Sequence, residues 1–332
     1  MTTYVLGAGA SRHAGYPLTP ELGNCLLEWA RQSDLDWRGF IDALNELYEG
    51  LTDLERILTE LHECPSGSRA ATLSKMQCGN TLGALEVAIP EFFYSLRQKP
   101  IQGADLYETL ARHKIRSGDA ILTFNYDLAC ENALRKEGMW EIGDGYGFLL
   151  GAGITPPSKT KVLKLHGSTN WLGILFDGNK GFSQADNVYG PRPCLFGGRD
   201  FTYLGYSEDV RDPLCKHIST TAGEPALILP ALHKNFFHQT FRGREWEPFW
   251  DNMWGEAARA LDSSERIVII GYSMPKGDER ARDLLLKDSN PNAEILVFSG
   301  SRTCAICKEF RDAGFQNVNS FGKGHFENYL NA

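Results

Sequence analysis

No stretch of this 332-residue chain reaches the roughly 18 unbroken apolar residues of a membrane helix, so no membrane association is expected. Neither a basic segment nor a long apolar segment precedes Gly7 in the opening MTTYVLGAGAS, so no secretory leader is expected either. Basic residues are the minority. Lys and Arg number 34 against 42 Asp and Glu, a formal charge of −8, which repels a nucleic-acid backbone at long range. Direct DNA or RNA binding is therefore not expected. The eight cysteines, at 25, 64, 78, 130, 194, 215, 304 and 307, include a single CxxC (Cys304 to Cys307) and lack the second pair of a zinc ribbon. Scattered thiols of this kind fit a reducing, cytoplasmic compartment, and no metal is expected. The G-x-S-x-G elbow of a hydrolase triad is missing at Gly167-Ser168. The dinucleotide fingerprint is incomplete too: Arg12 takes the third glycine position, and no acidic strand end follows about 20 residues on.

What is present is an alternation of short apolar runs and helical spacing. Thr3–Leu6, Asp119–Phe124, Val162–Leu165, Arg266–Ile270 and Glu294–Phe298 read as buried strands, and Gln316–Ser320 as a final edge strand. Helices are expected over Pro20–Arg31, Asp127–Arg135, Arg244–Leu261, Asp278–Leu286 and Thr303–Ala313. Nearly continuous apolar strands alternating with helices predict an α/β fold: a Rossmann-like parallel sheet with helices on both faces. Two stretches interrupt it. Residues 34–100 keep helical spacing (Ile41, Leu44, Ile57, Leu58, Leu85, Ile89) with no strand signal, and read as an inserted helical subdomain. Residues 172–241 are rich in Gly, Pro and aromatics and read as a second, irregular or β insertion. The whole, 1–332, is expected to be a single domain carrying these two insertions.

Four polar clusters follow predicted strands, at the carboxyl edge where open α/β sheets bind ligands. Gly7-Ala8-Gly9-Ala10-Ser11 follows the first; its glycines would admit a pyrophosphate to the backbone, the alternative being a plain tight turn. Thr123-Phe124-Asn125-Tyr126-Asp127 follows the second. A neutral amide at Asn125 would orient water or a ribose hydroxyl without repelling a cationic centre, and Asp127 is expected to cap the next helix. Lys164-Leu165-His166-Gly167 follows the third, with His166 suited to proton transfer; a buried structural histidine is the alternative. Gly271-Tyr272-Ser273-Met274-Pro275 follows the fourth, where Ser273 and Asp278 would contact a ribose or phosphate, or else start a helix. Ser299 ends the next strand and would contact an adenosine half in the same way.

Taken in order, GAGAS (7–11), TFNYD (123–127), KLHGSTNW (164–171) and VIIGYSMP (268–275) resemble the sirtuin superfamily, over almost the whole chain. The resemblance implies that NAD is the substrate and that Asn125 and His166 are catalytic, His166 as base. It implies dinucleotide contacts at Gly7, Ala8, Gly9, Ala10, Ser11, Phe124, Asp127, Gly271, Tyr272, Ser273 and Ser299. Three departures set the chain apart from protein-deacetylating sirtuins. It has no zinc ribbon after the HG motif, Phe124 stands where they carry Gln, and Gly15-Tyr16-Pro17-Leu18-Thr19 replaces their acidic, arginine-bearing loop. In these respects the chain looks like the sirtuin-like domains of prokaryotic antiphage systems, whose Pro…Lys stretch Leu229–Lys234 resembles. That likeness implies hydrolysis of NAD to nicotinamide and ADP-ribose. It also implies restraint by homo-oligomerisation or by a partner such as a translocase-type ATPase or an argonaute. The competing readings are a protein deacylase or ADP-ribosyltransferase, a non-catalytic module that senses NAD or ADP-ribose, and an oxidoreductase, which the incomplete dinucleotide fingerprint disfavours.

Overall fold

The computed structural model describes residues 1–33, 38–141, 144–147, 157–175, 202–206, 223–231, 247–320 and 324–331. Five short apolar runs form strands because each is buried on both faces, where branched and aromatic side chains pack best. These are β1 (Thr2–Leu6), β2 (Ala120–Thr123), β3 (Lys161–Lys164), β7 (Arg266–Ile270) and β8 (Glu294–Phe298). With the edge strand β9 (Val318–Ser320) they make a six-stranded, all-parallel sheet in the order β3-β2-β1-β7-β8-β9. Counting only these six in chain order, the sequence across the sheet is 3-2-1-4-5-6, the doubly wound arrangement of dinucleotide-binding folds. The predicted strands and the Rossmann-like class are therefore present, with ends displaced by one or two residues.

Register places the site. Leu6 pairs with Thr123 on one side and Ile270 on the other, Thr123 pairs with Lys164, and Ile270 pairs with Phe298. The strands thus stop at one level, and the residues after each stop gather along one edge. The direction of winding reverses between β1 and β7, which opens a crevice there.

Ten α-helices accompany the strands: α1 (Thr19–Arg31), α2 (Arg38–Tyr48), α3 (Leu54–Glu63), α4 (Lys75–Arg97), α5 (Leu106–His113), α6 (Ala129–Lys136), α7 (Glu247–Asp262), α8 (Glu279–Lys287), α9 (Thr303–Asp312) and α10 (Phe326–Leu330), among the described residues. Two hydrophobic cores result. One fills both faces of the sheet and includes Val5, Leu122, Val268, Leu284, Val297 and Phe310. The other lies within α1 to α4, around Leu26, Ile41, Leu58, Leu85 and Ile89, so α1 packs with the helices of the 34–100 stretch. Tyr126, Leu229 and Ala231 belong to this second core and join it to the carboxyl edge of the sheet.

The described residues of 172–241 belong in part to β4 (Gly167–Leu175), which begins ahead of that stretch, and to β5 (Thr202–Tyr206) and β6 (Gly223–Leu227), an antiparallel sheet in the order β5-β4-β6. The end of the Leu229–Lys234 stretch, Leu232, His233 and Lys234, lies outside the described residues. Among the described residues no helix is long and apolar enough to cross a membrane.

Candidate active site at the carboxyl edge of the sheet

The turns after β1 and β7 touch backbone to backbone. Gly7 N–H donates to the Ile270 carbonyl at 3.0 Å and Gly9 N–H to the Gly271 carbonyl at 2.9 Å. A Cβ at Gly9 would lie 2.8 Å from Gly271 Cα, and one at Gly271, whose φ is +63°, would lie 2.1 Å from the Ala10 nitrogen. The glycines at 9 and 271 are thus required for the two turns to meet each other. The sequence alone offered a phosphate-admitting turn or a plain tight turn, but not that the two turns meet.

Beside this contact lies a cleft of about 410 Å³, within the size range of small-molecule sites. Eleven predicted site residues line it together: Gly7, Ala8, Gly9, Ser11, Phe124, Asn125, Asp127, His166, Gly271, Tyr272 and Ser273. Two do not. Ala10 is wholly buried behind the turn, where its side chain packs in the sheet core. Ser299 lies outside the cleft wall, its hydroxyl buried without a hydrogen-bond partner among the described residues; Ser301 and Arg302 line the cleft instead.

Asn125 is held rigidly. Its side-chain nitrogen donates to the Gly7 carbonyl at 2.9 Å and to Ser11 Oγ at 3.0 Å, and its backbone N–H donates to Thr123 Oγ1 at 3.1 Å. Ser11 Oγ also shares a proton with the hydroxyl of Tyr107, on α5, at 2.9 Å. Both donors of the amide are consumed by the first turn, so the group Asn125 can offer a ligand is its carbonyl oxygen, an acceptor.

His166 is 5% exposed at its side chain, and its Nε2 lies 3.1 Å from Oδ2 of the equally buried Asp278. Asp278 occupies the position before α8 but makes no side-chain capping bond there, so the expectation that its side chain caps the helix is corrected: its carboxylate faces the histidine. The His166 carbonyl accepts a hydrogen bond from the Ile228 N–H at 2.9 Å, fixing the backbone beneath the ring. Phe124 stacks on Tyr272 with ring centres 4.3 Å apart and sits 5.0 Å from the His166 ring, giving the cleft an aromatic side. Burial and the Asp278 carboxylate hold the Tyr272 phenol well above its ordinary pKa, so it stays protonated.

Asp127 caps α6 as predicted, accepting from the Ala129 N–H at 2.9 Å. Its own carbonyl accepts a bond from Lys164 Nζ, which also pairs at 2.7 Å with Glu131. Burial pushes the Glu131 carboxyl up, and the adjacent Lys164 opposes the shift. This buried pair ties the end of β3 to the segment bearing Asn125.

Glu55 from α3, Phe93 from α4 and the Tyr16-to-Thr19 loop complete the cleft wall, and periodicity had signalled none of them as site residues. Tyr16 stacks on Phe93 at 5.6 Å, and Phe93 meets Tyr126 edge-on at 5.8 Å. The wall carries two carboxylates (Glu55 and Asp127), with Asp278 paired to the lining residue His166, and Arg302 is the one arginine or lysine among its described residues, an environment that favours a cationic ligand group.

Fold and site define a Rossmann-like α/β protein with a largely apolar cleft, bearing the carboxylates of Glu55 and Asp127, at the switch point of its sheet. No protein-family model and no curated protein matches the chain. Solved structures of Sir2 enzymes do align with it along nearly its full length. One, described as the structural basis for the mechanism and regulation of Sir2 enzymes, is 15% identical, with 99% of this chain and 90% of that chain covered and a TM-score of 0.43. Sir2Tm bound to a propionylated peptide is 11% identical, with coverage of 100% and 90% and a TM-score of 0.42. Sir2 in complex with the inhibitor EX-527, 2'-O-acetyl-ADP-ribose and a deacetylated p53 peptide is 12% identical, with coverage of 100% and 91% and a TM-score of 0.39.

Proposed function

We propose that this chain is an NAD hydrolase that cleaves the nicotinamide–ribose bond. The observation that carries the reading is the convergence of Asn125, the His166–Asp278 pair and the GAGAS turn on one cleft at the switch point. In this reading the diphosphate lies against the turns at Gly7–Ser11 and Gly271–Ser273. The nicotinamide ribose faces Asn125 and His166. Cleavage breaks the C–N bond, its electron pair leaves with the now neutral nicotinamide, and a ribosyl cation forms. Asn125 Oδ1 accepts a hydrogen bond from the attacking water or from a ribose hydroxyl. His166 takes the proton that the water loses, and the Asp278 carboxylate offsets the imidazolium charge. The carboxylates of Glu55 and Asp127 stabilise the cation as it develops, so positioning and electrostatics lower the barrier.

Because unchecked hydrolysis would drain the NAD of the cell, the same reading makes the chain a cytoplasmic antiphage effector, restrained by self-assembly or by a partner protein. The deciding experiment is a chromatographic time course with NAD, comparing wild type with Asn125→Ala. Nicotinamide and ADP-ribose from wild type alone support the proposal. Binding of NAD without nicotinamide release would replace it with a sensing role, and absence of binding would overturn both.

A further inference from the structure

Two cysteines remote from the cleft stand in contact. Cys64 closes α3, Cys78 lies near the start of α4, and their sulfurs are 3.3 Å apart, the Cys64 thiol donating to Cys78 Sγ. Among the described residues no other two sulfurs lie within hydrogen-bonding distance; Cys304 and Cys307, the CxxC pair, make no such contact. A disulfide holds its sulfurs at about 2.05 Å, so bonding requires an approach of little more than about 1 Å. Cys64 is half-buried and reachable, whereas Cys78 is 3% exposed. Burial, reinforced by the neighbouring Cys64, pushes the Cys78 thiol up to about 11. Cys78 therefore stays a protonated thiol at neutral pH, and Cys64 is the sulfur that a soluble oxidant meets first.

Cys64 has φ +44°, in the left-handed region that helix ends ordinarily fill with glycine. From that backbone position the Cys64 side chain reaches Cys78.

We propose that Cys64 and Cys78 are an oxidative modification site that closes reversibly to a disulfide, with a peroxide as oxidant. The Cys64 sulfur attacks one peroxide oxygen as its thiol proton is lost, the O–O bond breaks, and the departing oxygen takes up that proton and leaves as water, giving a sulfenic acid. The Cys78 sulfur then attacks the Cys64 sulfur. The S–S bond forms, the S–O bond breaks, and the hydroxyl departs as a second water with the Cys78 proton. Two thiols are oxidised by two electrons in all, and one peroxide is reduced to two waters. A dithiol reductant restores both thiols. The bond ties α3, which carries Glu55, to α4, which carries Phe93, so both joined helices reach the cleft wall.

The test uses the full chain, titrated with hydrogen peroxide, blocked with a thiol alkylator, unfolded, and examined by intact mass and peptide mapping. The expected result is a loss of two hydrogens and a linked peptide pair containing Cys64 and Cys78, both reversed by dithiothreitol. Cys64→Ser and Cys78→Ser should each abolish the linked pair, while Cys304→Ser leaves it unchanged. Oxidised wild type should also melt several degrees above its reduced form, because the cross-link constrains the unfolded chain. Cys64 and Cys78 emerging as free thiols after peroxide, linkage between other cysteines, or oxidation of Cys64 to the sulfinic acid in place of a disulfide would each overturn the proposal. None of these readouts depends on whether the chain hydrolyses NAD.

Discussion

Replacing Gly271 by alanine tests whether the meeting of the two turns holds the site together. Two costs add. At φ +63° an alanine sits in the left-handed region, which disfavours side chains by about 1–2 kcal/mol. Its Cβ would also lie 2.1 Å from the Ala10 nitrogen and 2.7 Å from Gly9 Cα, both backbone atoms that cannot swing aside. Forcing an extra carbon into such a space costs about 1–3 kcal/mol. The sum, roughly 2–5 kcal/mol, should lower the melting midpoint by about 3–7 °C, since the unfolding entropy of about 2 cal/mol/K per residue is spread over 332 residues. Gly300→Ala separates the terms: its φ is +57°, but the nearest atom to a Cβ there, His325 Cε1, is 3.9 Å away, so it carries the conformational cost alone. Gly79→Ala, in α4 with nothing within 4 Å, should be neutral or stabilise by up to about 1 kcal/mol. Calorimetric melts of the three variants decide the matter. The reasoning fails if Gly271→Ala is no less stable than Gly300→Ala. A parting of the turns would also displace the Gly7 carbonyl that anchors Asn125, so ligand binding in the Gly271→Ala variant should weaken more than in the Gly300→Ala variant.

Asp278→Asn keeps the size of the side chain but removes the charge beside His166; turnover of NAD should fall about 10²–10⁴-fold, measured as nicotinamide release at saturation, with the melting midpoint little changed. A wild-type rate in that variant would remove Asp278 from the mechanism. Asp105 caps α5, accepting from the N–H groups of Tyr107 and Glu108, and contacts His13 at 3.2 Å. Burial opposes its ionisation, but those bonds outweigh burial and hold its pKa below the ordinary value. Asp105→Ala should therefore cost about 1–2 kcal/mol at neutral pH. Because the folded pKa is depressed, that stability is present above the unfolded carboxylate value near 4 and is lost as pH falls through the folded one. Denaturant melts of wild type and Asp105→Ala should accordingly converge in acid; a gap independent of pH would refute the assignment.

The strands and the four polar clusters were legible because each apolar run is short, buried on both faces and stopped by glycine or a polar residue. Helical spacing likewise announced α2 to α4. It could not announce that this unit would fold over the sheet edge and supply Glu55 and Phe93, since periodicity names the buried face of a helix and not its neighbour. Asp278 was visible as a helix-start residue, but a capping carboxylate and a histidine partner look alike in one dimension; only the parallel register of β3 and β7 around β1 brings it to His166. Ala10 and Ser299 belong to the right motifs, yet the pleat and the turn direct them inward.

The common level at which the strands stop has a consequence for how such a protein changes over evolutionary time. Between Leu6 and Ala120 the chain makes a long excursion through α1 to α5, and between Lys164 and Arg266 another through the three-stranded sheet and α7, yet each returns to a strand held in register by its neighbours. The span of an excursion is thus decoupled from the positions where it leaves and rejoins. Insertions can lengthen, shrink or be exchanged wholesale, altering which molecules reach the cleft and what holds it in check. The few residues at the strand ends are placed by the register and not by the excursions, so what the excursions do is free to diverge while the strand-end residues stay put.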